Sequence, residues 1–209
     1  MWGSFGTKSN PFLFFGKDEH AMDCYNISNI LTFSRIAVTP LLLYLFFVEN
    51  FYVRILVLIL VILSEITDLV DGYLARKRNI VTDLGKVIDP LADRLFRLTM
   101  FLCFLQAGLI HVWFFALCFY RDAIVTTLRI IAINNSIVFS AKWSGKLKAV
   151  VQAIAVIFIL LLTIFYFGEY PDWMTTVTNS VMLVVTVVTL LSGIDYFCKI
   201  KRMLQQQES

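Results

Sequence analysis

Charge is scarce in this sequence. Asp, Glu, Lys and Arg make up 16% of its 209 residues, where a soluble domain carries about 25%. Soft metal ligands are scarcer still. There are two histidines, His20 and His111, and four scattered cysteines, Cys24, Cys103, Cys118 and Cys198, with no CxxC spacing. Those residues cannot by themselves build a zinc site or a disulfide scaffold, and the cysteines read as small hydrophobes. A formal net charge of only +3 argues against a nucleic-acid footprint over the whole surface. Internal repeats and low-complexity tracts are absent. What abounds is apolar: 59% of residues, with a mean hydropathy of +0.78, against roughly 45–50% in soluble domains. This composition argues against disorder and against a soluble enzyme, and predicts an all-α integral membrane protein.

A helix needs about 20 residues to cross hydrocarbon. Residues 149–168 and 173–194 each supply one charge-free span, separated by Gly168, Glu169, Pro171 and Asp172. Upstream, 36–48 and 51–67 are largely apolar on either side of Glu49–Asn50, and the uncharged run 98–120 divides at a turn near Gly108. The expected architecture is a six-transmembrane-helix bundle with helices near 29–48, 52–77, 83–106, 109–136, 143–168 and 173–198. Basic residues collect before span 1, at the links 2–3 and 4–5, and after span 6; the links 49–52, 107–110 and 169–172 hold none. The positive-inside rule then places both termini in the cytoplasm, in a multi-pass protein of the cell membrane. Residues 1–25 read as an N-terminal extension or interfacial helix, with no convincing signal-peptide h-region. Residues 26–202 read as one six-helix catalytic domain, and 203–209 as a polar C-terminal tail.

The informative stretch is 64–97, SEITDLVDGYLARKRNIVTDLGKVIDPLADRLFR. It puts Asp68, Asp71, Asp89 and Asp93 at the cytoplasmic ends of two consecutive apolar helices. An aspartate at the membrane centre costs about 2.5–3.5 kcal/mol, so four should face one another across a wet cavity. Asp68 and Asp71 are i,i+3; Asp89 and Asp93 are i,i+4; each pair shares a helix face. Four close carboxylates repel unless cations neutralise them, and an all-oxygen set suits Mg²⁺ or Mn²⁺. Two such ions would form a clamp for displacement at phosphorus. Gly72, Ala75 and Gly85 lie beside the acids, which reads as clearance for a ligand or as close helix packing. Arg76 offers a fork to phosphate oxygens.

The pattern Asp68-x2-Asp71-Gly72-x2-Ala75-Arg76-x8-Gly85-x3-Asp89-x3-Asp93 resembles the CDP-alcohol phosphatidyltransferase family at all eight fixed positions. The resemblance implies a six-helix membrane fold, usually homodimeric, with its site open to the cytoplasm. It implies transfer of a phosphatidyl or phosphoalcohol group from a CDP-linked donor to a hydroxyl. In that scheme Asp68, Asp71 and Asp89 are metal ligands, and Asp93 holds the second ion and acts as general base. Gly72, Ala75 and Gly85 line the nucleotide site, with Arg76 near the phosphates.

The choice of acceptor rests on looser likenesses. Asn29, Thr32 and Arg35, followed by Pro40, resemble the N-terminal motif of the phosphatidylglycerophosphate and cardiolipin synthase branch. The resemblance brings Asn29 and Thr32 to the donor; an interfacial helix with a snorkelling Arg35 explains the same residues. Arg121-Asp122-x2-Val-x2-Leu-Arg129, then Gly-Lys146-x-Lys148, resembles the phosphatidylglycerophosphate synthases, whose donor is CDP-diacylglycerol and whose acceptor is glycerol 3-phosphate. Arg121, Arg129 and Lys146 would then bind the acceptor phosphate. An ion pair of Arg121 with Asp122 or with a carboxylate of the third helix, and a headgroup role for Lys146 and Lys148, are the alternatives. Three residues depart from the family pattern. Glu65 is an extra buried acid, there to pair with an arginine or to tune the site; Arg94 stands where a lysine is expected; and Arg97, where an apolar residue is expected, is i,i+4 from Asp93 and placed to salt-bridge to it. Other acceptors (phosphatidylglycerol, inositol phosphate, an aminoalcohol) remain open within the family. Outside it stand a divalent-cation transporter and an inactive scaffold.

Overall fold

A computed structural model describes the backbone of residues 27–78, 83–134, 143–166 and 169–208, and the side chains of 34–67, 92–128, 145–166 and 169–200. Six helices and no strand occur among the described residues: α1 (Ile27–Phe46), α2 (Phe51–Arg78), α3 (Asp83–Gln106), α4 (Val112–Asn134), α5 (Trp143–Thr163) and α6 (Asp172–Glu208). α3 packs against α1, α4 and α5, while α6 closes on α4 and α5, and α2 on α1 and α5.

Local chemistry sets the ends of these helices. Asn50 caps α2, its side-chain oxygen accepting the Tyr52 N–H at 2.9 Å. α3 stops in a Schellman turn: the Leu109 N–H reaches the Phe104 carbonyl at 2.9 Å and the Gly108 N–H reaches that of Leu105 at 3.0 Å. The turn needs a left-handed residue, and Gly108 supplies it at φ 72°. Leu109 and Phe104 are both fully buried beneath it. The cap consumes Leu109 and Ile110, so α4 begins at Val112 rather than at 109. α5 ends at Thr163, short of the expected 168; the Thr163 hydroxyl bonds the Leu160 carbonyl at 2.8 Å, and turn bonds follow. α6 runs ten residues past the expected 198, because Lys, Arg, Met, Leu and Gln are strong helix formers once the apolar run is over. The interfacial segment expected before residue 26 lies outside the described residues.

The core is one cluster drawn from all six helices, including Leu42 and Phe46, Val57 and Val61, Met100 and Phe104, Cys118, Ile159 and Leu160, and Met182 and Val185. Around it the usual solvent pattern is inverted. Arg35, Arg54, Asp122, Lys148, Gln152, Thr178, Thr189 and Ser192 are buried, while Leu183, Val184, Val187, Leu191, Ile194 and Phe197 stand exposed along α6. A continuous apolar exterior of this kind suits hydrocarbon, not water. Gly145–Thr163 and Asp172–Ile200 are long and apolar enough to cross a bilayer, and Ser34–Phe46 is a shorter apolar segment. Among the described residues the fold is therefore all-helical, with an apolar exterior that suits a membrane.

Candidate functional site

α2 and α3 run unbroken through the eight-position motif, so the helical registers that pair Asp68 with Asp71 and Asp89 with Asp93 hold in the fold. Asp68, Asp71, Gly72, Ala75, Arg76, Gly85 and Asp89 carry side chains outside the described residues, as do Asn29 and Thr32 on α1 and Arg129 on α4. Asp93 is the member of the quartet whose side chain is described. Among the described residues no three metal-ligating groups converge. The donor set itself fits a hard divalent cation: four carboxylates at helical spacing on two consecutive helices.

Asp93 stands at a junction of three helices. With Arg35, Ser64, Glu65, Phe96 and Arg97 it lines a narrow, closely packed cleft. Arg35, only 7% exposed, donates to the Asp93 carboxylate. The same guanidinium bonds the Ser64 hydroxyl at 3.2 Å and the Ser64 carbonyl at 3.4 Å. Arg35 thus joins α1 to α2 and α3 and does not snorkel to the interface. Arg97 makes a two-pronged pair with Glu65, Nε to Oε1 and Nη2 to Oε2, both at 3.3 Å. The arginine partner expected for Glu65 is therefore Arg97. Arg97 reaches across to Glu65 on α2, and Arg35 engages Asp93.

A second polar cluster is buried between α4, α5 and α6. Arg121 pairs with Asp122 at 2.9 Å, and Lys148 donates to the same Asp122 oxygen. Arg121 also reaches Ser192 at 2.8 Å. Gly193 leaves room for it: a Cβ there would sit 3.0 Å from the Arg121 Cγ. Among the described residues, the buried Nε of Arg121 has no hydrogen-bond partner. Arg94, next to Asp93, donates to Thr126 Oγ1. The Thr126 hydroxyl in turn bonds the Asp122 carbonyl at 2.6 Å, which ties the two clusters together. Lys146 is exposed on α5, away from this cluster; the lysine that joins Arg121 is Lys148. Sequence reasoning passed over Lys148 as a headgroup contact. The signal that identifies it is Asp122, a buried acid that needs more than one cation.

Comparison with known proteins finds relatives over most of the chain. A CDP-diacylglycerol–glycerol-3-phosphate 3-phosphatidyltransferase of Bacillus subtilis is 32% identical over 193 residues, covering 84% of this chain and 95% of that protein. One from Rickettsia typhi is 31% identical over 176 residues, covering 83% and 97%. A probable phosphatidylglycerophosphate synthase of Mycobacterium tuberculosis is 32% identical over 181 residues, covering 85% and 82%. The family profile described as CDP-alcohol phosphatidyltransferase matches residues 25–193, a stretch that takes in the motif helices, the Asp93 cleft and the Arg121 cluster alike. On that match, the chain belongs to the CDP-alcohol phosphatidyltransferase family.

Proposed function

We propose that this protein transfers the phosphatidyl group of CDP-diacylglycerol to the hydroxyl of glycerol 3-phosphate, releasing CMP and phosphatidylglycerophosphate. The observation that carries the reading is the near full-length alignment with relatives of that printed activity, here 95% of the first and 97% of the second.

In this reading the six helices all span the cell membrane, both termini and the Asp93 cleft face the cytoplasm, and the chain is a homodimer. Asp68, Asp71, Asp89 and Asp93 hold two divalent cations, Mg²⁺ or Mn²⁺. When bound, these ions neutralise the donor's diphosphate and stabilise CMP as it departs. Gly72, Ala75 and Gly85 leave room for the nucleotide, Arg76 meets its phosphates, and Asn29 and Thr32 lie toward the donor. The acceptor oxygen forms a bond to the phosphorus that bears diacylglycerol, the bond from that phosphorus to CMP breaks, and the acceptor proton passes to the Asp93 carboxylate. Arg35 orients that carboxylate through its anchorage on Ser64. Arg121 and Arg129 receive the acceptor phosphate, with Lys148, which shares Asp122 with Arg121, in the place first expected of Lys146. The open Nε donor of Arg121 supports this assignment, as does the excess of cations in its cluster, where Arg121 and Lys148 share one Asp122.

The test is release of radiolabelled CMP from CDP-diacylglycerol by the purified protein, with glycerol 3-phosphate, phosphatidylglycerol, inositol phosphate, serine and choline offered separately. Glycerol 3-phosphate alone should support turnover. Turnover with another acceptor instead would refute the assignment, as would cation flux into proteoliposomes with no CMP release.

A further inference from the structure

We infer that Ser192 of α6 is a positioning residue: its hydroxyl, beside the bare backbone of Gly193, seats the Arg121 guanidinium so that one donor stays open to a phosphate oxygen. The inference rests on the role proposed above for Arg121 in binding the acceptor phosphate.

The Arg121 side chain is 9% exposed, and its guanidinium is held at two corners. Nη1 donates to Asp122 at 2.9 Å and Nη2 to the Ser192 hydroxyl at 2.8 Å. A single contact lets a planar guanidinium swing about that bond, whereas two contacts fix its plane. Asp122 is the next residue on α4, so Ser192 is the anchor that comes from another helix. Nε is left over. It is buried and has no hydrogen-bond partner among the described residues. A buried donor on a charged group is costly to leave unmet, and an oxygen ligand would meet it.

Gly193 shapes the adjoining flank. A Cβ built there would lie 3.0 Å from Cγ, 3.3 Å from Nε and 3.7 Å from Cδ of Arg121, and these are its three nearest neighbours. The first two are closer than an ordinary contact, so a side chain at 193 would push Arg121 off the seat that Ser192 and Asp122 define.

α6 is itself held in register beneath this seat. Cys118 of α4 meets Thr186 at 3.9 Å, and Gln152 of α5 donates to Thr189 at 3.4 Å. Thr186, Thr189 and Ser192 follow at three-residue steps, so successive turns of α6 bring a hydroxyl to α4, to α5 and to α4 again. All three residues are buried. Contacts on two sides thus fix the helix that carries Ser192, which lies 71 residues beyond Arg121.

The experiment uses the full chain purified in detergent. Radiolabelled CMP release gives the KM for glycerol 3-phosphate and for CDP-diacylglycerol separately, and a thermal melt reports folding. Ser192→Ala should raise the KM for glycerol 3-phosphate about tenfold, the scale of one hydrogen bond to a charged group. The KM for CDP-diacylglycerol should stay within about twofold of the parent, as expected of a site that is not coupled. Ser192→Thr keeps the hydroxyl and should return the acceptor KM to within about threefold of the parent. Gly193→Ala removes no hydrogen-bonding group and should still raise the acceptor KM by about threefold or more.

A folded Ser192→Ala with a parental KM for glycerol 3-phosphate overturns the inference. Equal rises in both KM values overturn it too, since a purely structural role would disturb donor and acceptor alike. So does a folded Ser192→Thr as weak as Ser192→Ala. Should Ser192→Ala fail to fold, Gly193→Ala decides: a selective rise in the acceptor KM supports the seat, and a parental value overturns it. Arg121→Ala separates this inference from the reading beneath it. A parental acceptor KM in Arg121→Ala removes Arg121 from the phosphate site, and Ser192 with it. A raised one beside an indifferent Ser192→Ala removes only the role given to Ser192.

Discussion

Asp122 is the buried charge on which the packing of α4, α5 and α6 turns, and replacing it tests that claim most directly. Its side chain is 7% exposed and accepts from Arg121 at 2.9 Å and from Lys148 on the next helix. At an effective dielectric near 20, a contact at this range is worth roughly 5–6 kcal/mol before desolvation is subtracted. The asymmetry of buried ion groups matters more than that gross figure. Asp122→Asn keeps shape and volume but leaves two cations facing each other with no anion between them. Losing one member of a buried pair costs about 3–5 kcal/mol, because the remaining charges cannot recover their hydration. The assay is reversible unfolding of the purified protein in mixed micelles on titration with a denaturing detergent, followed by helix circular dichroism. Asp122→Asn should lose about 3–5 kcal/mol, and adding Lys148→Met should restore part of it, with a coupling of about 1–3 kcal/mol in the cycle. A loss below about 1 kcal/mol, the range of exposed pairs, would show that the cluster is hydrated and the burial argument wrong.

Three further outcomes follow from the same geometry. Gly193→Leu drives carbon into the Arg121 side chain, whose Cγ and Nε would lie 3.0 and 3.3 Å from the new Cβ; the expected loss is about 1–3 kcal/mol by the same unfolding titration, and parental stability would show that Arg121 has room to move. Stripping divalent cations with EDTA should abolish CMP release, and Mg²⁺ or Mn²⁺ should restore it where Zn²⁺ does not, as expected of an all-carboxylate site; turnover persisting in EDTA would refute the carboxylate clamp. Arg129→Ala should raise the KM for glycerol 3-phosphate more than that for CDP-diacylglycerol, and an unchanged acceptor KM would remove Arg129 from the phosphate pocket.

The fold was legible where one local rule acted alone. Apolar runs broken by Glu49–Asn50 and by Gly108 predicted the first four helices to within a few residues, because span length and turn chemistry are local properties. Misjudged ends mark places where two rules competed. On α6, hydropathy ends near 198 but helix propensity does not; on α5, hydropathy continues past Thr163 while its hydroxyl turns back onto the helix. The helical register of the motif aspartates was legible for a similar reason, since i,i+3 and i,i+4 spacings need only a continuous helix, and α2 and α3 are continuous.

Partners across helices were not legible, and the physical reason is angular. A helix turns through about 100° per residue, so sequence assigns a side chain to a face but says nothing about which helix that face meets. Lys146 and Lys148 count alike toward topology yet lie about 200° apart around α5; one is exposed and the other buried on Asp122. Arg97 obeyed its register with Asp93 and still paired with Glu65, because a carboxylate on a neighbouring helix presents both oxygens to the fork, which satisfies more donors than a single contact along the same helix. Arg35 makes the same point across a longer stretch of chain. Its face was readable from the sequence, but only the meeting of α1, α2 and α3 puts Ser64 and Asp93 within its reach. In a membrane interior, where every buried donor must find an acceptor inside the protein, such contacts decide how the helices are arranged around the reacting groups, and each one depends on an encounter between helices that no local spacing encodes.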